Sequence, residues 1–155
     1  KYTSKKFKAT RRKSWKMMAI KKVVIVPCSG VGKPFGTITR EAAYQVTEDD
    51  RPEDTRIIPL SLLVLGDEEA QAALVGAEVI SIDGCALICA TKMVQESGGK
   101  VSRSFNSMEI YRANRDLKPK GIAELNEAGL ELANKLAKQV DQTVDELTGK
   151  AEENA

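Results

Sequence analysis

From Lys21 onward, apolar and polar positions alternate in blocks whose lengths separate strands from helices. "KKVVIVPCSG" (21–30) is a β-branched apolar run closed by Pro27 and Gly30, the pattern of a strand buried on both faces. In "GTITREAAYQVTEDD" (36–50), Ile38, Ala42, Ala43 and Val46 fall on one helical face and acids close the segment. "TRIIPLSLLVLG" (55–66) is a second apolar run, ambiguous in length, in which Pro59 ends the strand partway. "DEEAQAALVGA" (67–77) predicts a short helix with acids in its first turn, where the helix dipole favours them. "EVISIDG" (78–84) is a third strand, and "CALICATKMVQESGG" (85–99) a helix stopped by Gly98 and Gly99. "KVSRSFNS" (100–107) gives a fourth strand, followed by a loop through "NRDLKPKG" (114–121). The longest helix spans 122–147, with Ile122, Leu125, Leu132, Leu136, Val140, Val144 and Leu147 as its core-facing stripe and Gly149 at its end.

Strand and helix therefore alternate four times, with no internal repeat. This predicts a three-layer α/β fold of the Rossmann-like or flavodoxin-like kind. About four strands form a mainly parallel sheet, with helices on both faces. Residues 21–150 are expected to form a single domain, after a basic arm over 1–20 that lacks apolar periodicity and before a short tail, 151–155.

Charge divides the chain at the same place. Residues 1–22 hold ten Lys or Arg and no acid, leaving fourteen bases against twenty-two acids in the remainder, so the overall +2 conceals a basic arm on an acidic body. Such an arm can dock on an acidic protein surface or on nucleic acid, and Tyr2, Phe7 and Trp15 are interleaved with its bases. It is equally a plain tail, or sequence upstream of a natural start at Met17 or Met18; as a mitochondrial presequence it lacks an apolar face. No run is long enough to cross a bilayer, so membrane insertion is not expected.

Candidate chemistry is narrowed by an absence: the chain has no histidine. Ser-His-Asp hydrolysis, Cys-His proteolysis and histidine zinc ligation are excluded, and any metal must be held by sulfur or oxygen. Three cysteines do not suggest a secreted disulfide framework, and imply reduced thiols and a cytoplasmic location. Cys28 follows the first strand and Cys85 the third, and in an open parallel sheet the loops at the carboxyl ends of strands form the binding crevice. Cys89, one turn further if the helix starts at Cys85, would lie on the same face. Thiolates suit zinc first, with an iron–sulfur cluster as the alternative. The three sulfurs are therefore expected to lie close enough to bind one ion or cluster. A helix N-terminus would also help Cys85 to ionise. Asp83 is either a further oxygen ligand or a cap for the following helix.

"CSGVGKPFGTITREAAYQV" (28–46) and "VISIDGCALICATK" (79–92), with the central Asp83-Gly84-Cys85, resemble the DGC domain over roughly residues 22–98. The resemblance implies zinc binding through four cysteines. Cys28, Cys85 and Cys89 match three of these, and the fourth would fall near Pro59, where this chain has "IIPLSLL". Three ligands and a vacancy describe an open site, whose fourth position can take water, a substrate thiol or a partner's ligand. A metallocofactor assembly or delivery factor, or a subunit of a larger complex, fits that description. Other readings stay open, and enzyme and non-enzyme remain alternatives. In "CSGVGKPFG", Gly30, Gly32 and Lys33 can cradle a phosphate, although the spacing is not that of a Walker loop. The remaining readings are phosphoryl transfer on cysteine, thiol–disulfide exchange, and a non-catalytic interaction subunit with a vestigial site.

Overall fold

The structure, a computed structural model, describes residues 23–30 and 32–149; the basic arm and the 151–155 tail lie outside the described residues. Strand β1 (Val23–Pro27) is buried along its whole length. It pairs in parallel with β2 (Thr55–Ile57) on one side and β3 (Glu78–Asp83) on the other. Strand β4 (Val101–Asn106) extends the sheet beyond β3, also in parallel, with a register shift at Val79/Ile80. The order is β2-β1-β3-β4, so the two most apolar runs of the chain occupy the centre. Parallel strands covered on both faces need no polar side, which is why these two lack hydrophobic–polar alternation.

The period of two along β1 and β3 sorts their side chains into two cores. Val23, Ile25, Ile80 and Ile82 pack beneath α1 (Pro34–Tyr44) and the long α6 (Glu127–Thr148), against Ile38, Ala42, Leu132, Leu136 and Val140. Val24, Val26 and Val79 face the opposite layer. That layer contains α2 (Leu60–Val64), α3 (Glu68–Ala72) and α4 (Cys89–Glu96), through Leu63, Ala70, Ala90 and Val94. The three-layer α/β architecture expected from the alternation is the one observed.

Several boundaries differ from the periodicity. Helix α1 begins at Pro34, whose fixed φ and missing N–H suit a first turn, and its end widens into a π-helical turn over 45–50. The long helix starts at Glu127 rather than 122, because Asn126 accepts the Gly129 N–H as its cap and leaves Ile122 outside and 54% exposed. A seven-residue helix, α5 (Ser107–Ala113), follows β4 where the sequence suggests a strand end and loop; Asn106 caps it by accepting the Met108 N–H. No helix among the described residues is long and apolar enough to cross a membrane.

Two arginines tie the strand connections down. Arg56, buried on β2, donates to the Ala73 carbonyl just beyond α3; burial lowers its pKa, and among the described residues its Nε has no hydrogen-bond partner. Arg51, which follows the π-helical turn, donates from Nε to Asp141 at 2.6 Å and from Nη2 to Asp145 at 2.7 Å. The Asp141 hydrogen bond raises the guanidinium pKa against the opposing effect of burial, and the charges of both carboxylates add to the rise. This clamp fixes the turn to α6. We predict that Arg51→Ala lowers stability by about 1 kcal/mol in low salt, because the geometry is forked and only partly exposed. Denaturant titration should show a smaller loss in molar salt.

Candidate metal centre

Two strand ends deliver the first two sulfurs. The backbone pairing of β1 with β3 continues past the strands, since the Cys28 N–H donates to the Ile82 carbonyl at 2.8 Å. Cys28 is thereby buried against the α2/α4 layer. The chain leaves β3 through Asp83 and Gly84 and turns at Cys85, whose carbonyl accepts from Asn106 Nδ2 and from the Ile88 N–H. Cys89 is the first residue of α4 and is exposed.

All three cysteines line one pocket of about 310 Å³, together with Gly30, Lys33, Phe35, Leu60 and Leu87. Although Cys89 is exposed, partial desolvation raises its thiol above the ordinary pKa. Negative charge on Cys28, Cys85 and Asp83 pushes the same way, and Lys92 opposes. The thiol at the helix start is Cys89, not Cys85.

The expected helix over 85–99 is corrected to Cys89–Glu96, so Cys85 and Cys89 are not successive turns of one helix face. The cause is Asp83. Buried at the end of β3, its carboxylate accepts the Ala90 N–H at 2.8 Å, the Thr91 N–H at 3.3 Å and the Thr91 hydroxyl at 2.6 Å. These bonds anchor the helix start beside the strand end and force the intervening residues into a loop. Ile88 closes that loop at φ 46°, ψ 47°, and among the described residues it is the only non-glycine residue at positive φ. A β-branched residue there is strained. The sulfurs share a pocket, but among the described residues no group of three or more His, Cys, Asp or Glu side chains is arranged to hold a metal ion.

The glycine-rich loop serves packing. A Cβ on Gly36 would lie 1.9 Å from the Gly30 Cα, and one on Gly84 would lie 3.2 Å from the Gly36 nitrogen. The loop after β1, the first turn of α1 and the loop after β3 thus meet backbone to backbone, at the bottom of the pocket. Gly30 also has φ +56°, which only glycine adopts readily. Gly32, at φ +78°, borders open space and is not among the pocket-lining residues, whereas the exposed Lys33 is. Of the residues expected for a phosphate cradle, Gly30 and Lys33 reach the pocket and Gly32 does not.

The sequence reading did not foresee Phe35, Leu87 or Leu60 at the pocket. Leu60 follows Pro59, where the resemblance would put a fourth cysteine, and it lines the same cavity as the three thiols. The signal for it was the end of the second strand. A third strand end opens onto the same edge, and here it brings a hydrocarbon instead of a sulfur.

No curated protein and no solved structure shows significant similarity to the chain. The family model for the DGC domain matches residues 24–129, from β1 into the first turn of α6, well beyond the 22–98 stretch that carries the legible motifs. Metal binding is the property ascribed to that family, and this chain has three cysteines within the matched residues. This chain belongs to the DGC-domain family.

Proposed function

We propose that the chain binds a thiophilic metal through Cys28, Cys85 and Cys89, zinc in the first instance and an iron–sulfur cluster as the alternative. It would act as a carrier or assembly factor for a metallocofactor. The observation that carries this reading is the meeting of three free thiols from two strand ends at one pocket. The donor set suits a soft ion: three sulfurs, no imidazole, and an apolar Leu60 on the remaining side. Asp83 is the cap in this proposal, since both its oxygens already accept hydrogen bonds. A site with three protein ligands leaves one position for an incoming thiol, water or partner ligand, as exchange of a metal cargo requires. Among the described residues the three side chains are not arranged as a finished metal site, so binding draws the sulfurs together.

The test is elemental analysis and absorption spectroscopy of protein purified without oxygen. The expected result is one zinc ion per chain, or a brown iron chromophore. Cys28→Ser, Cys85→Ser or Cys89→Ser should each weaken metal affinity at least about tenfold, by loss of a thiolate ligand. Denaturant stability of the Cys85 and Cys89 variants should change little, because these two side chains are not buried in the core. Metal content indifferent to all three substitutions would sink the proposal.

A second measurement separates cap from ligand. Asp83→Ala should destabilise the metal-free protein by about 2 kcal/mol, since it orphans two backbone amides at the start of α4 and leaves the Thr91 hydroxyl with Ser81 alone. If Asp83 served only as a ligand, the metal-free protein would not notice its loss.

A further inference from the structure

A groove of about 680 Å³ lies away from the cysteines, on the outer surface between α1 with its π-helical turn and α6. Glu41, Glu48, Asp49 and Asp50 supply its charge, and Tyr44 and Leu130 offer apolar surface, 41% and 50% exposed. No Lys or Arg lines it among the described residues. Arg51, next along the chain, is turned to Asp141 and Asp145 on α6.

We propose that this groove receives the chain's own basic segment, residues 1–22. The composition of that segment complements the groove in both respects: ten cationic side chains and no acid for the rim, with Tyr2, Phe7 and Trp15 for the apolar surface. The attachment point is also favourable. Residue 22 joins β1 at Val23, whose N–H donates to the Asp54 carbonyl and which stands in register with Thr55. The π-helical turn that carries Glu48, Asp49 and Asp50 is closed by the Arg51 N–H on the Val46 carbonyl, a few residues before that same pairing. β1 therefore begins at the edge of the sheet where the acidic turn lies. About twenty residues reach up to roughly 70 Å when extended, more than the span of a small fold, so distance does not restrict the encounter. Tethering of this kind gives an effective concentration on the order of millimolar, enough to populate a contact too weak to hold a free peptide.

The chain's single tryptophan, Trp15, reports on the contact directly. In the full chain at low ionic strength, its emission should be blue-shifted and protected from acrylamide, at the same level across a hundredfold range of protein concentration. Raising salt to about 1 M, where the Debye length falls to about 3 Å, should restore the accessibility of free indole and raise the quenching constant about twofold or more. Replacing Glu48, Asp49 and Asp50 together by Lys should do the same at low salt; all three are exposed, and circular dichroism checks that the fold persists. The salt titration of the unaltered chain stands even if that variant does not fold. Four results overturn the proposal: an indole already free at low salt, protection that survives charge reversal, protection that grows with protein concentration, and protection that appears only when duplex DNA is added. The third points to a second copy of the chain, and the fourth to nucleic acid.

Discussion

Everything at the pocket depends on a close backbone contact that no side chain could survive. Gly36, in the first turn of α1, lies against Gly30 in the loop after β1 and against Gly84 in the loop after β3. Because three glycines share that contact, the helix can descend onto the carboxyl edge of the sheet and close one wall of the pocket with Phe35. Ser107, at the start of α5, locks the arrangement by donating to the Phe35 carbonyl, with the Gly84 carbonyl also within reach. A methyl group at Gly36 would drive α1 off its seat and separate the two strand ends that carry the sulfurs.

Asp83 organises the other wall. A carboxylate buried at the end of a parallel strand is costly unless fully satisfied, and here two amides and a hydroxyl of α4 satisfy it. The strand end and the helix start are thereby joined by a polar cluster rather than by continuous helix. The strain this leaves at Ile88 is confined to the loop between Cys85 and Cys89. Cys28, buried in the core, thus faces two cysteines that flank a strained loop nearer the surface.

Much of this was legible in the chain itself. β1 and β3 declared themselves as apolar runs because both faces of each are covered, and the placement of Cys28 and Cys85 at one edge followed from their positions after those runs. The start of α4 was not legible, because its cap comes from Asp83, six residues before Cys89, through a loop that no local capping pattern describes. Helix α5 was hidden by its length, with only Ser107 and Ile110 buried in seven residues, though Asn106 was a cap in plain sight. Leu60 was unreadable as a pocket residue for a different reason. Its position depends on β2 lying beside β1, and strand order is a property of the assembled sheet.

Among the described residues the sheet has two open margins, and they are poor templates for another chain. β2 offers three residues, too short a row of free backbone groups to hold a foreign strand, and it carries the buried Arg56. β4 is longer, but its register with β3 slips at Val79/Ile80, and Arg103 stands exposed in it, reaching Glu146 on α6. A straight, apolar edge invites strand addition and fibrous growth, whereas a stub at one end and a kinked, charged strand at the other discourage it. The same irregularities therefore disfavour strand addition at the margins of a sheet with a very apolar centre.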